Sequence, residues 1–230
     1  MNKNTPNLLL VEGTNDKSFF ERVCKKYGIN ANVKVSTPVD LVLPVQGAFN
    51  SKQGVINSLD ALLPMLEDED SVIKKIAIVI DSDIQGQNNG GFASTISLIK
   101  NKALRHDYSA THQYKNGGVE IPHNDPQMNS LGIWIMPNNK DDGTIENWLK
   151  DKILDSEKVM FAHACSIVSR LENKKFSQSS IAKAEIATWL AWQNQPGRTL
   201  AYTLKEGEEL IDIEHAGFKG FVKWLRDFAV

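Results

Sequence analysis

The stretch IAIVIDSD at residues 76–83 constrains the fold of this chain more than any other segment. Five apolar residues, rich in isoleucine and valine, run directly into Asp81 and Asp83, which are separated by one small residue. An apolar run of this length predicts a strand that is buried on both faces. Because side chains alternate along a strand, we expect Asp81 and Asp83 to point in the same direction where the strand ends.

Paired aspartates at a strand end have two interpretations. Neighbouring carboxylates repel each other, and the repulsion destabilises the ionised pair unless a cation lies between them. Ligands of open α/β sheets bind outside the carboxyl ends of the strands, so the pair can bind a hard metal ion through its oxygen atoms, most readily Mg²⁺. The alternative is a solvated strand end with two acidic turn residues, and a DxD pattern alone favours this alternative.

The rest of the chain alternates strands with helices. Buried strands are predicted at residues 7–11 and 131–136, and a helix that Thr14 or Asn15 caps follows the first of them. Further helices are predicted at about residues 54–66, 92–104, 157–171, 180–193 and 218–228. Residues 105–130 are polar and indicate a long surface loop, which can include a strand at 118–121.

This alternation predicts an α/β fold with a mainly parallel sheet flanked by helices. We expect residues 1–155 to form the α/β domain and residues 156–230 to form a helical C-terminal part packed on it. The chain has 230 residues, of which 41% are hydrophobic. That size suits one large domain or a domain with an appendage.

Charge and cysteine content limit the classes of partner and compartment. The formal net charge is -2, so a nucleic-acid partner requires a local basic patch or a bound metal ion. Cys24 and Cys165 lie far apart without a CxxC spacing, which indicates free thiols in a reducing cytosol and argues against a zinc cluster. No segment approaches the roughly 20 apolar residues that span a bilayer. We therefore expect a soluble, cytoplasmic protein without a membrane partner.

Two more acidic residues and one lysine are candidates for the same site. Glu12 ends the first strand and precedes Gly13, which allows a tight turn and a close approach of the backbone to a ligand. Glu146 lies in the first turn of a helix that Thr144 can cap, after the strand at 131–136. Lys183 projects from the first turn of a later helix. The alternative for both glutamates is charge that complements a helix N-terminus.

The absence of several sequence motifs argues against common nucleotide-binding and hydrolase sites. The chain has no GxxxxGK[ST], no GxGxxG after the first strand and no GxSxG, so a P-loop, a Rossmann dinucleotide site and a hydrolase elbow are all disfavoured. His106, His112 and His123 lack the close spacing of metal ligands and are better explained as surface histidines.

The motifs that remain resemble a known family. The stretches LLLVEGTNDKSFF and IAIVIDSD resemble the Toprim domain of topoisomerases, primases and OLD-family (overcoming lysogenization defect) nucleases. The later stretches GIWIMPNNKDDGTIENWL and AKAEIATWLAWQNQPG resemble a small family of stand-alone, OLD-like Toprim proteins, so that the resemblance covers most of the chain. The ATPase domain that OLD proteins carry is absent from these residues.

The resemblance implies a role for each candidate residue. Glu12 would bind metal or act as a general acid/base, Asp81 and Asp83 would bind metal, and Glu146 would be a further metal ligand. Lys183 would stabilise charge on the scissile phosphate. The implied cofactor is Mg²⁺ or Mn²⁺, and the implied partner is nucleic acid, with DNA favoured over RNA. The implied activity is metal-dependent phosphoryl transfer, in the form of endonuclease cleavage, on a Toprim-like fold.

Two other functions fit the same residues. One is a non-catalytic module that binds metal or nucleotide and acts with a protein partner in a larger assembly, such as a phage-defence complex. The other is a small-molecule phosphotransferase or phosphatase, which predicts a closed pocket under residues 105–130. A nuclease predicts instead a basic groove leading to the acids, and its candidate residues are Lys17, Lys115, Lys140, Lys174 and Lys175.

Overall fold

The computed structural model describes residues 5–42, 47, 49–86 and 90–230. Within these ranges the chain forms six strands and eight α-helices. The strands are β1 (Asn7–Val11), β2 (Asn32–Val35), β3 (Lys75–Asp81), β4 (Gln113–Lys115), β5 (Gly118–Ile121) and β6 (Leu131–Met136). The helices are α1 (Thr14–Tyr27), α2 (Pro38–Leu41), α3 (Lys52–Leu62), α4 (Phe92–Ala103), α5 (Ile145–Lys150), α6 (Lys158–Arg170), α7 (Ile181–Ala191) and α8 (Ala216–Phe228).

The six strands form one sheet in the order β2-β1-β3-β6-β5-β4. Strands β2, β1, β3 and β6 are parallel to their neighbours, and β5 and β4 add an antiparallel edge. The predicted α/β fold with a mainly parallel sheet is therefore confirmed. Val11 pairs with Val79, and Asp81 pairs with Met136, so β1, β3 and β6 end at the same edge of the sheet.

Both faces of β3 are buried, as the apolar run predicts. Ile76, Ile78 and Ile80 pack into a cluster with apolar residues of α3 and α4. Ala77 and Val79 face the opposite cluster, which contains residues of α1, α5, α7 and α8. Alternation along the strand thus places helices on both sides of the sheet.

The helical C-terminal part packs on the sheet through aromatic residues. Phe221 of α8 lies 5.1 Å from Trp134 of β6 and 5.6 Å from Trp148 of α5, measured between ring centroids. All three rings belong to one hydrophobic cluster, so these aromatics are core residues. The domain boundary at residue 155 is not tested by this packing and stays a prediction.

Residues 105–130 are more ordered than the sequence pattern indicates. The strand expected at 118–121 is confirmed as β5, but residues 113–115 form a second strand, β4, which pairs with it. Asn116 and Gly117 join the two strands and have φ values of 53° and 85°. A two-residue turn with positive φ at both positions favours Asn-Gly. The surface-loop prediction was wrong because this hairpin signal was overlooked.

Two further expectations concern the thiols and the membrane. Cys24 and Cys165 are free cysteines. Among the described residues, no helix combines the length and the hydropathy that crossing a membrane requires.

Candidate metal-binding cleft

A cleft with a volume of about 380 Å³ opens at the edge of the sheet where β1 and β3 end. Its lining includes all five residues that the sequence singled out, namely Glu12, Asp81, Asp83, Glu146 and Lys183. The lining also contains Asp16, Asn50, Ser179 and Ser180. The convergence follows from the topology, because parallel neighbouring strands bring their carboxyl ends together.

Glu12, which follows β1, is hydrogen-bonded to the end of β3. Its Oε1 accepts a hydrogen bond from the backbone N–H of Asp81 at 2.7 Å. Helix α1 then begins at Thr14 with Gly13 as its N-cap residue, so the expectation that Thr14 or Asn15 caps the helix was wrong. Instead, Oδ2 of Asp16 accepts a hydrogen bond from the N–H of Gly13 at 3.0 Å. This bond fixes a further carboxylate beside Glu12, at the start of the helix.

Asp81 is the last residue of β3, and the charges of the other acids of the cleft act on it. Its Oδ1 accepts a hydrogen bond at 2.9 Å from the N–H of Ile145, the first residue of α5. The N-terminus of a helix favours negative charge and offers unpaired N–H groups. Asp81 therefore joins the end of β3 to the helix that carries Glu146.

Asp83 does not continue the strand. It has a φ of 60°, in the left-handed region, and its N–H donates to the carbonyl oxygen of Gly143 at 2.9 Å. Alternation along a strand does not extend to Asp83, because β3 ends at Asp81. Both aspartates nevertheless line the same cleft. The Oδ2 of Asp83 lies 2.5 Å from Nζ of Lys52, and 42% of the Asp83 side chain is exposed.

Ser82 links the end of β3 to the loop that follows β6 through hydrogen bonds. Its side chain is fully buried, and its Oγ accepts a hydrogen bond from the N–H of Gly143 at 2.7 Å. The Ser82 hydroxyl lies 3.1 Å from the carbonyl oxygen of Gly143, to which it can donate. These bonds place Asp81 and Asp83 opposite the start of α5.

Replacing Ser82 with alanine should destabilise the protein by about 1–3 kcal/mol, because the buried N–H of Gly143 loses its acceptor. The free energy of unfolding, measured with denaturant, checks this expectation. The matched control is Ser18→Ala on α1, where an exposed hydroxyl donates to the carbonyl of Thr14. We expect that control to change stability by less than about 0.5 kcal/mol. Equal losses in the two variants would contradict the assigned role of Ser82.

Glu146 and Lys183 line the cleft from α5 and α7. The structure confirms Thr144 as the N-cap residue of α5 and Glu146 in its first turn. Glu146 is only 7% exposed, and its Oε2 accepts a hydrogen bond from the Thr144 hydroxyl at 2.8 Å. Lys183 is exposed in the first turn of α7. Its positive charge acts on Asp16, which places the ammonium group within electrostatic reach of the acids.

Burial and mutual repulsion dominate the electrostatics of the cleft. Burial raises the pKa of Glu12 to about 8; the hydrogen bond from Asp81 opposes this rise, and the charges of Asp83 and Asp16 add to it. Burial also raises the pKa of Asp81 well above its ordinary value, and the neighbouring Glu12 and Glu146 raise it further. The pKa of Asp16 rises to about 6 because of burial and the nearby charge of Glu146. Negative charge is therefore poorly compensated here.

The donor set fits a hard divalent cation in its chemistry. All the acids of the cleft offer oxygen atoms, which Mg²⁺ and Mn²⁺ prefer. Among the described residues, no group of three or more acidic, histidine or cysteine side chains already stands in position to bind an ion. Glu12, Asp83 and Glu146 each direct one carboxylate oxygen to a different protein donor. Each carboxylate retains a second oxygen for a metal ion.

Two charged residues of the site were missed from the sequence. Asp16 had a detectable signal, because it lies three residues after Gly13, where an acidic side chain can accept a hydrogen bond from the N–H of an N-cap residue. Lys52 had no such sequence signal, because its approach to Asp83 depends on how α3 packs beside β3. Its Nζ donates to the carbonyl oxygen of Ser82 at 2.8 Å, and only 11% of its side chain is exposed.

The lysines proposed for a basic groove do not line the cleft. Lys17 forms an ion pair with Asp40 at 2.7 Å, and Lys115 pairs with Glu120 at 3.2 Å. Lys174 donates to backbone carbonyls at the end of α6. Lys140 and Lys175 are exposed outside the cleft lining. In the part of the chain that the structure describes, Lys183 is the one basic residue that lines the cleft.

Comparisons with known proteins give a family and no close relative. Neither the curated proteins nor the solved structures contain a match to this chain. The resemblance to Toprim domains is not tested by these comparisons and stays a prediction. The profile of one family, described as "Protein of unknown function (DUF3226)", matches residues 6–230. Since that match covers nearly the whole chain, the protein belongs to the DUF3226 family.

Proposed function

We propose that this protein catalyses Mg²⁺- or Mn²⁺-dependent phosphoryl transfer on nucleic acid, as an OLD-like Toprim endonuclease. The observation that carries the proposal is the cleft itself. Glu12, Asp81, Asp83 and Glu146 come from three separate segments of the chain and line one cleft together with Lys183. A set of carboxylates beside a lysine suits a reaction at a phosphodiester, where negative charge must be neutralised.

The carboxylates would bind the metal. Glu12, Asp81, Asp83 and Glu146 are the proposed ligands. The charges of Glu146 and Asp16 both act on Asp81. When bound, a divalent cation supplies charge neutralisation at a phosphate and lowers the pKa of a coordinated water. The Asp81 carboxylate is already oriented for this role by the N–H of Ile145.

The protein's own groups would supply proton transfer and charge stabilisation. A carboxyl with a pKa near neutrality is a suitable general acid or base, and the pKa of Glu12 is about 8. Lys183 of α7 lines the cleft, and its positive charge lowers the pKa of Asp16. We assign Lys183 to stabilise the charge that develops on a phosphate oxygen during the reaction.

The acids also make nucleic-acid binding depend on metal. Five acidic residues line the cleft against one lysine, and those that are ionised repel a phosphate backbone. A nucleic acid would therefore bind productively only after cations neutralise the cleft. DNA is the favoured substrate, as the resemblance implies. The free thiols of Cys24 and Cys165 support a reducing, cytoplasmic setting for this activity.

The scarcity of basic side chains around the cleft favours one alternative. A non-catalytic module that binds metal or nucleotide within a larger complex would receive its nucleic-acid contacts from a protein partner. The small-molecule alternative has less support, because the cavity beside residues 105–130 shares no lining residue with the acidic cleft. That cavity is lined by Glu67, Asp107, His123, Asn124, Asp125 and Met128.

The proposed function is tested by cleavage of plasmid and oligonucleotide substrates with Mg²⁺ or Mn²⁺. We expect the wild-type protein to cleave DNA and the Asp81→Asn/Asp83→Asn variant to be inactive. Asparagine keeps the oxygen that accepts from Ile145, so the fold should persist. Cleavage by both proteins would indicate a contaminating nuclease. If neither protein cleaves any form of DNA or RNA while the wild type binds metal, the binding-module alternative is favoured.

A further inference from the structure

Lys52 brings a positive charge into direct contact with the acidic edge. It is the first residue of α3, and its Nζ lies 2.5 Å from Oδ2 of Asp83. The same Nζ donates to the carbonyl of Ser82 at 2.8 Å and lies 3.4 Å from Oγ1 of Thr95. With 11% of its side chain exposed, Lys52 is an inserted group rather than a mobile surface lysine.

The ion pair between Lys52 and Asp83 involves a carboxylate that is expected to bind metal. Asp83 is one of the predicted ligands, and its backbone is fixed in the left-handed region by the bond from its N–H to Gly143. Its side chain therefore has few orientations available. In the observed orientation, one carboxylate oxygen is directed to the ammonium group of Lys52. A cation that engages Asp83 must share or replace this contact.

We propose that Lys52 is a positioning residue that acts as a built-in counter-ion, competing with the divalent cation for Asp83. In the metal-free protein it offsets part of the repulsion among the acids and keeps the end of β3 assembled. Its charge also opposes the approach of a second cation, so the metal ion binds more weakly than the carboxylates alone would allow. Metal binding releases the ammonium group from Asp83.

This inference rests on the metal-binding part of the proposed function but not on nuclease activity. It predicts opposite effects of one substitution on two measurable quantities. Replacing Lys52 by methionine removes the charge and keeps the apolar stem. The metal-free protein should then melt at a lower temperature, whereas its dissociation constant for Mg²⁺ or Mn²⁺ should decrease at least tenfold. A residue with a merely structural role would lower the melting temperature without strengthening metal binding.

The experiment measures metal binding by calorimetry and melting temperature with and without metal, for wild type, Lys52→Met and Lys52→Gln. The glutamine variant keeps a donor for the carbonyl of Ser82, so it provides a second neutral variant if the methionine variant folds poorly. Lys52→Arg, which keeps the charge, should bind metal as the wild type does. The matched control is Lys102→Met, which removes an ion pair with Asp60 between α3 and α4, away from the cleft.

The outcomes separate this inference from the proposed function. Tighter metal binding by the two neutral variants, but not by Lys52→Arg or Lys102→Met, supports it. If the wild type binds metal and a variant at Asp83 does not, while the neutral Lys52 variants bind as the wild type or more weakly, the counter-ion role is overturned and the metal site remains. A wild-type protein that binds no divalent cation overturns both.

Discussion

Asp81→Asn should stabilise the metal-free protein and at the same time abolish its response to metal. Asparagine has nearly the same shape as aspartate and keeps the oxygen that accepts the N–H of Ile145. The substitution removes a carboxylate whose pKa is raised by burial and by the charges of Glu12 and Glu146. Relieving a poorly compensated buried group is worth about 1–3 kcal/mol, or roughly 2–4 °C of melting temperature for each kcal/mol in a chain of this size.

The gain should depend on pH in a defined direction. A carboxyl with a higher pKa in the folded than in the unfolded state binds its proton more tightly when folded, so the fold loses stability as the pH rises through that interval. For Asp81 the interval begins near its ordinary pKa of 3.8 and extends well above it. The advantage of Asp81→Asn should therefore be absent near pH 4 and should grow toward pH 8.

The measurement is thermal unfolding in a chelator and in excess Mg²⁺, over that pH range. Metal that binds only the folded state raises the melting temperature of the wild type, and Asp81→Asn should lose this rise. Asp142→Asn is the matched control, because Asp142 lies near the same edge but accepts from the N–H groups of Phe92 and Gln85. The control should keep the metal response. An Asp81→Asn protein that is less stable than wild type at pH 7 without metal would refute the argument.

Such a substitution distinguishes a functional site from a structural one. Replacing a residue that only supports the fold lowers the stability of the protein, as we expect for Ser82. Residues selected for binding can oppose folding until their ligand is present. Asp81 is expected to belong to the second class, because four other acids, Glu12, Glu146, Asp16 and Asp83, act on its charge from within one cleft.

The sheet and the location of the cleft were accessible from the sequence. The strands Asn7–Val11 and Leu131–Met136 were predicted with their observed bounds, because continuous apolar runs between turn residues leave little choice of structure. The order of acids after strands then placed Glu12, Asp81 and Glu146 at one edge. Parallel pairing of β1, β3 and β6 is all that this inference required.

The orientation of Asp83 and the role of Lys52 were not accessible. Alternation describes a continuous strand, and β3 ends two residues before Asp83, where Ser82 and Gly143 form a tertiary bridge. Lys52 lies far from Asp83 in sequence and reaches it only because α3 packs against the same face of the sheet as α4. Contacts of this kind depend on tertiary packing, which a local pattern does not encode.

Lys183→Ala should reduce the rate of metal-dependent cleavage by about 10²- to 10³-fold, the loss typical of removing one group that stabilises transition-state charge. Metal binding should remain, since Lys183 lines the cleft without a hydrogen bond or ion pair to any residue that the structure describes. Stability should change little for the same reason, because Lys183 is exposed on the first turn of α7. We therefore expect kcat to fall, whereas the dissociation constant for Mg²⁺ should not increase.

Single-turnover cleavage and calorimetry, measured side by side, test the assignment of Lys183. Lys183→Arg keeps the positive charge and should recover part of the lost rate, although its planar group has a different shape. Lys174→Ala is the matched control, since Lys174 is an exposed lysine that donates to the backbone carbonyls of Ser169 and Leu171. If Lys183→Ala cleaves as fast as this control, Lys183 is an ordinary surface residue. If the metal ion no longer binds, Lys183 acts on the carboxylates and not on the phosphate.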